Sequence, residues 1–371
     1  MKVIIERGTL LKALSHVQSV VERRNTIPIL SNVLLRAEGG TLSLTATDLD
    51  IEIVEHVPAD VAQSGAATAA AVTLFDITKK LPDGTQVELE RTSNGRLRLS
   101  AGSSNFSLAV LPEDDYPALP QAEGGTEFAM PAEELKRLID KARFAMSQEE
   151  TRYYLNGIYM HASEDRGQPT LRVVSTDGHR LARLDATLPE GAAGLEGVII
   201  PRKAVLELRR LLDDAEDDVR ILSAPGRMRF AFDDIALTTK LIDGTFPDYA
   251  RVIPQGNDKI MRVAPTAFAK SVDRVSTVSA DKTRSVKLAL ENDRLRLDVN
   301  SPETGTATED LDVDYRGEAI EIGFNARYLL DITSQLDGDT AVFAFADTAS
   351  PTVITDEADE RALYVLMPLR V

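Results

Sequence analysis

Leu42-Ser43-Leu44-Thr45-Ala46-Thr47-Asp48, Leu171-Arg172-Val173-Val174-Ser175-Thr176-Asp177 and Leu295-Arg296-Leu297-Asp298-Val299-Asn300 share one pattern: alternating or β-branched apolar residues closed by Asp or Asn. That pattern predicts a strand running into a turn. Ahead of each lies a segment with helical spacing, Arg7 to Val21, Pro131 to Met146 and Pro265 to Val278, in which Lys12, Lys136 and Lys270 fall in register. The offsets of 124 and 134 residues are those of a domain, not of a solenoid repeat. Second helices are expected at Thr73 to Leu81, Pro201 to Leu212 and Asn325 to Leu336, each followed by hairpin-like sequence. The first two modules close on Asp115-Tyr116-Pro117 and Phe246-Pro247-Asp248-Tyr249, and Gly124-Gly125 and Gln255-Gly256-Asn257-Asp258 read as linkers. Three similar domains are expected, at 1–122, 127–254 and 259–371.

Leu10, Leu14, Val17 and Val21 recur at helical spacing, as do Leu135, Leu138, Ile139, Ala142 and Met146, so these stripes face a core. The opposite faces are expected to carry Lys12, Ser15, His16 and Ser19, and Lys136, Arg137, Asp140, Lys141 and Arg143. Six such helices on one side of antiparallel sheets make an α+β fold. A subunit of repeated modules suggests a ring-like or stacked assembly and not one catalytic cleft. In a ring, the helices line the hole and the sheets form an outer wall with few unpaired edges. Closing around a duplex takes about six modules, which two copies of the chain supply.

The chain has 371 residues, no Cys and no long apolar run, and opens Met-Lys-Val-Ile-Ile-Glu-Arg, so a cytoplasmic protein without disulfides or membrane spans is expected. With no Trp and 5% aromatic residues, a stacking platform for single-stranded nucleic acid is disfavoured. A net charge of −17 ordinarily argues against phosphate binding. The charge is uneven, however. Arg7, Lys12, Arg23 and Arg24 face one acid, Glu22, over the first helix; Arg202, Lys203, Arg209 and Arg210 face only Glu207 in the fourth. Acid concentrates elsewhere, as in Asp213-Asp214-Ala215-Glu216-Asp217-Asp218. Basic helices in an acidic molecule would hold DNA on one surface and repel it from the others, although solvated helix faces carry the same charges.

No phosphate-binding Gly-x-x-x-x-Gly-Lys loop, dinucleotide fingerprint or nucleophile elbow is present, so ATP hydrolysis is not expected. His16, His56, His161 and His179 show no metal-ligand spacing, and neither a metal nor a cofactor is expected. In Ser175-Thr176-Asp177-Gly178-His179-Arg180-Leu181-Ala182, three readings stand side by side. Asp177 could orient His179 as a base, Gly178 could serve a plain turn, or His179 and Arg180 could wall a peptide pocket beside Leu181. Thr151-Arg152-Tyr153-Tyr154-Leu155-Asn156-Gly157 could offer a guanidinium and hydroxyls to phosphates, or half-buried packing tyrosines. The ending Tyr364-Val365-Leu366-Met367-Pro368-Leu369-Arg370-Val371 reads as a strand with a mobile apolar tail suited to adaptable peptide recognition.

Across the whole chain these segments resemble the bacterial sliding clamps, the β subunits of DNA polymerase III. The resemblance is carried by Thr26-Ile27-Pro28-Ile29-Leu30 with Asn32, the Leu42 to Asp48 strand, the Thr151 to Gly157 run, Ser175 to Ala182, Phe246-Pro247-Asp248-Tyr249, Gly323-Phe324-Asn325 and Met367-Pro368-Leu369-Arg370. It implies a head-to-tail homodimeric ring of six similar domains around double-stranded DNA, tethering the replicative polymerase and loaded by a separate ATP-driven machine. It also implies that Arg24, Gln148, Arg152, Tyr153, Tyr154, Arg202 and Lys203 touch the DNA backbone. The implied partner pocket comprises Leu155, Thr176, Gly178, His179, Arg180, Leu181, Pro247, Arg251, Val252, Asn325, Tyr328, Val365, Met367, Pro368, Leu369 and Arg370. Short, partly apolar peptides of polymerases, clamp loader and repair proteins would compete for it. Phe106 and Leu108, with Thr277 and Val278, match the family's dimer interface. Leu369 stands where methionine often precedes the final arginine, and Thr277 where a larger apolar residue is common. Two rival classes remain at this level: an acidic peptide-binding scaffold that never surrounds DNA, and an enzyme using Asp177 and His179.

Overall fold

The computed structural model describes all residues except 23–25, 121–123, 280–283 and 371. One order of elements recurs three times. The first pass is β1 (Lys2–Glu6), α1 (Arg7–Val17), β2 (Asn32–Glu38), β3 (Thr41–Thr47), β4 (Ile51–Pro58), β5 (Asp60–Gln63), β6 (Gly65–Ala70), α2 (Ala71–Lys80), β7 (Gln86–Arg91), β8 (Arg96–Ala101) and β9 (Ser104–Ala109). The second is β10 (Thr126–Met130), α3 (Ala132–Ala142), β11 (Gly157–Asp165), β12 (Gln168–Thr176), β13 (Arg180–Thr187), β14 (Val198–Pro201), α4 (Arg202–Leu211), β15 (Val219–Ala224), β16 (Arg227–Phe232) and β17 (Ile235–Lys240). The third is β18 (Lys259–Val263), α5 (Pro265–Ser276), β19 (Ser285–Glu291), β20 (Arg294–Ser301), β21 (Gly305–Asp312), β22 (Asp314–Tyr315), β23 (Ile320–Asn325), α6 (Ala326–Thr333), β24 (Ala341–Phe345), β25 (Thr352–Asp356) and β26 (Asp359–Leu366). The three strands expected from the opening sequence pattern are β3, β12 and β20.

Local chemistry sets the helix ends. Glu6 caps α1 by accepting from the Thr9 backbone N–H at 2.9 Å, Pro265 opens α5, and Asn325 caps α6. Apart from α2, which starts two residues earlier than expected, the helices are shorter than expected from periodicity. α1 stops at Val17, where the Ser19 hydroxyl bonds the His16 carbonyl at 2.9 Å and Val20 and Val21 continue in tighter turns, still buried. α3 stops at Ala142, whose carbonyl accepts from Ser175 Oγ at 2.5 Å.

The described chain forms two compact units, Met1–Leu135 with Pro189–Gly194 and Lys203–Leu241, and Lys136–Leu188 with Leu195–Arg202 and Ile242–Val371. In the first, a five-stranded sheet (β5-β1-β7-β8-β9) accompanies an eight-stranded one (β10-β15-β16-β17-β4-β3-β2-β6). The closing strand β17 of the second pass adds antiparallel to β4 of the first, with Leu237 opposite Ile53 and Ile235 opposite Glu55. The second unit repeats this join: in its nine-stranded sheet (β14-β11-β12-β13-β26-β25-β24-β18-β22), β26 adds to β13, with Tyr364 opposite Ala182 and Ala362 opposite Leu184. These joins carry a sheet from one pass into the next, so compactness does not follow the sequence repeat. The remaining four-stranded sheet is β21-β20-β19-β23. Within their sheets β9 and β21 are edges.

Leu10, Leu14 and Val17 of α1 are fully buried, each contributing about 1.5–3 kcal/mol. Two residues expected on outward faces are not outward. His16 is 3% exposed, with Nδ1 2.8 Å from Glu55 and Nε2 3.0 Å from Asp214. Lys141 is also buried, donating to the Gln335 carbonyl at 2.7 Å and pairing with Asp337 at 2.8 Å. Both sit where a strand addition brings a further helix end alongside, and a buried polar group persists there because it finds partners.

Candidate functional site

The turn between β12 and β13 is built from its own side chains. Asp177 Oδ1 accepts from the backbone N–H groups of His179 (2.9 Å) and Arg180 (3.0 Å), and Thr176 Oγ1 donates to the Arg180 carbonyl at 2.7 Å. Gly178 sits at φ +88°, a conformation that favours glycine. Asp177 therefore holds backbone, not the His179 ring, and the base reading loses its geometry. His179 instead stacks over Tyr328, with centroids 6.2 Å apart. Arg180, expected as a pocket anchor, is buried: it pairs with Asp177 and Asp331, donates to the Phe144 carbonyl at 2.8 Å, and lies 4.3 Å above the Tyr328 ring. Asn325 is likewise occupied as the cap of α6, accepting from Arg327 N at 2.9 Å.

The C-terminal segment is tethered and does not trail away as a mobile tail. The Met367 N–H donates to the His179 carbonyl at 2.9 Å, and the Leu369 N–H to the Gly323 carbonyl at 2.8 Å. Beside it Leu155, Leu181 and Val365 pack with Val174, Ile199, Phe246 and Ile253 into one buried cluster. At its margin Val252 (51% exposed) and Met367 (40%) stay open to solvent, with Pro247 and Arg251 also exposed and Arg251 paired to Asp248 at 2.8 Å. A buried apolar cluster with Val252 and Met367 exposed and polar groups held in place nearby has the chemistry to bind a short, partly apolar peptide. Val174, Ile199, Phe246 and Ile253 of this cluster were not among the residues expected here. The adjacent pair Val173-Val174 was the available signal, since two successive apolar residues in a strand mean both its faces are covered.

The run from Gln148 to Leu155 also reaches this turn, through Arg152. Gln148 is exposed, and Arg152 pairs with Glu149 at 2.6 Å while its guanidinium covers Gly178. The hydrogen bond to Arg152 holds the Glu149 carboxyl below its ordinary range. Tyr153 is 52% exposed and meets Tyr154 edge-on at 5.7 Å. Arg202 is half-buried, its N–H donating to the Asn156 carbonyl at 2.8 Å. In the first unit Lys203 pairs with Asp48 (2.5 Å) and Glu22 (3.1 Å). Burial opposes its charge, but these two bonds keep its pKa above the ordinary value. Arg24 lies outside the described residues. Of the expected interface residues, Phe106 and Leu108 sit half-buried on the edge strand β9, Thr277 follows α5 exposed, and Val278 accepts from Thr304.

Three family models match in order: the N-terminal domain of the DNA polymerase III beta subunit over residues 1–120, its central domain over 129–248 and its C-terminal domain over 250–370. The chain belongs to the DNA polymerase III beta subunit family. It is similar to the beta sliding clamp of Caulobacter vibrioides, 55% identical with all of both chains covered. Among solved structures it resembles a Caulobacter crescentus beta sliding clamp (TM-score 0.97, 55% identity) and a Bartonella birtlesii sliding clamp bound to griselimycin (TM-score 0.97, 47% identity), each with full coverage of both chains. The function of a beta subunit follows: a sliding clamp that encircles double-stranded DNA and tethers the replicative polymerase, conferring processivity. Among the described residues, no helix is long and apolar enough to cross a membrane.

Proposed function

We propose that two copies of this chain close head to tail, β9 of each adding to β21 of the other, so that six modules at 1–122, 127–254 and 259–371 of each chain surround the duplex. One observation carries this: the same strand addition occurs twice within the chain, in one register. Matching the hairpins β8–β9 and β16–β17 at their turns equates Phe106 with Leu237; matching β20–β21 with β3–β4 by their paired strands equates Ala307 with Ile53. The third addition then sets Phe106 opposite the partner's Ala307 and Ser107 opposite the partner's Thr306. The second internal addition supports the same register: matched by its paired strands beyond the irregularity at Thr355 and Asp356, Tyr364 takes the place of Leu237 and lies opposite Ala182.

Inside the ring, Arg24, Gln148, Arg152, Tyr153, Tyr154, Arg202 and Lys203 meet phosphates without reading sequence. Arg152 and Lys203 exchange an acidic partner for a phosphate, which keeps each contact weak and lets the clamp slide. Retention then rests on ring closure and not on affinity. The pocket around Leu155, Leu181, Val365 and Met367 takes short peptides of the polymerase, clamp loader and repair polymerases in competition, and the chain contributes no catalytic residue of its own. Phe106→Asp with Leu108→Asp tests the closure: light scattering is expected to shift from twice the chain mass to the 40.5 kDa of one chain. An unchanged dimer would refute the β9 edge as the interface.

A further inference from the structure

The segment carrying Pro247, Arg251 and Val252 is held down on β11 by a ladder of rings. Phe246 stacks on Tyr159 (4.8 Å, 4° between planes), Tyr159 meets His161 at 4.8 Å, and His161 meets Tyr249 at 5.8 Å. The ladder ends in a chain of hydrogen bonds whose direction is fixed. The Ala162 carbonyl can only accept, so His161 Nδ1, 2.8 Å away, carries a proton and donates. In neutral His161, Nε2 is then the acceptor, and the Tyr249 hydroxyl donates to it at 2.9 Å. The Tyr249 oxygen accepts in turn from Arg172, which is anchored to Asp185 by two bonds of 2.6 and 3.0 Å. These are the groups facing His161: Tyr159 along its own strand, Arg172 and Asp185 from the neighbouring strands, and Tyr249 from the segment above.

We propose that His161 and Tyr249 are positioning residues for partner binding: neutral His161 fixes the segment bearing Pro247, Arg251 and Val252 as the pocket's rim, and protonation of His161 releases it. A proton on Nε2 removes the acceptor that held the Tyr249 hydroxyl hydrogen and sets two donors, His161 Nε2 and Arg172, on one oxygen. Burial first, and then Arg172, lower the His161 pKa from 6.5. The sign follows: the folded state prefers neutral His161, so the tether is intact at neutral and higher pH and is lost as pH falls through the lowered pKa. His161 is the residue that titrates, and none of the pocket residues needs to change for affinity to change.

This rests on the pocket reading, and the test separates the two. Griselimycin, with which the Bartonella clamp was solved, serves as the probe by titration calorimetry at about pH 8 and at the lowest pH at which the chain stays folded by circular dichroism. Affinity of the full chain is expected to fall about 5-fold at the lower pH, the worth of one hydrogen bond. His161→Gln, which keeps an acceptor but does not titrate, is expected to bind as tightly at both pH values. Tyr249→Phe is expected to bind about 5-fold more weakly at pH 8 and to lose the pH response. A response that persists undiminished in His161→Gln would assign it elsewhere, His179 being exposed at the pocket, and would overturn the proposal. Deleting from Met367 onward is expected to abolish binding; loss there with a pH-flat parent chain overturns the positioning role alone, whereas unchanged binding overturns the pocket and the positioning role together.

Discussion

Two connectors with related sequence, Asp115-Tyr116-Pro117 in the first unit and Phe246-Pro247-Asp248-Tyr249 in the second, are tied down by different kinds of partner. Tyr116 is buried over Ile29 and Leu30, its single hydroxyl proton shared between the backbone carbonyls of Asn32 (3.1 Å) and Thr45 (3.0 Å). Thr68 ties the same connector at Leu111, through 2.8 and 2.9 Å bonds. Burial, then nearby Glu52, raises the Tyr116 pKa, so its hydroxyl stays protonated through neutral pH. Tyr249 answers instead to a histidine and an arginine, beside a cluster that leaves Val252 and Met367 exposed. One connector is a fixed closure. The other, on the proposed reading, is an adjustable edge to a binding surface, although both arise from a tyrosine at the end of a module.

The contrast can be broken by mutation. The largest effect is expected for Leu181→Asp, which puts a carboxylate into the buried cluster of the second unit: about 4 kcal/mol of stability and all ligand binding are lost, read by denaturant melts and calorimetry. Tyr116→Ala is expected to cost about 3 kcal/mol through the cavity it leaves, with pocket affinity unchanged at temperatures where the chain stays folded. Tyr116→Phe is expected to cost about 1 kcal/mol, equally at both pH values of the calorimetry. A pH-dependent cost there would erase the distinction between the anchors. Smallest is Lys203→Ala, which removes one cation from the proposed DNA surface: the slope of log affinity against log salt is expected to become shallower by about 0.9, and an unchanged slope would remove Lys203 from that surface.

Much of this was readable from spacing. The three strands ending in Asp or Asn, the register of Lys12, Lys136 and Lys270, and the Asp177-Gly178 turn depend on residues close in sequence, where periodicity and turn chemistry act directly. His16 and Lys141 were misplaced because a helix's own periodicity cannot report a second element laid against its polar side. Glu55 meets His16 because α1 packs on β4 of its own module, and Asp214 is brought to it through the β4–β17 join. That join was itself invisible, since any strand with an apolar face can pair with any other. The bound C-terminal segment escaped notice for a related reason: backbone N–H groups hold it at Met367 and Leu369, and backbone bonds leave no mark on side-chain pattern.

The central claim, closure by a third strand addition in the register of the two internal ones, can be tested with one covalent bond. The chain has no cysteine, so Ser107→Cys with Thr306→Cys, both exposed and opposite in the proposed register, adds the only thiols. Under mild oxidation, non-reducing gels are expected to show a cross-linked species of twice the chain mass, and a Ser107→Cys, Thr308→Cys control out of register is expected to stay at the single-chain mass. Cross-linking that is absent in the first pair, or equal in both, would contradict the register and the ring built on it.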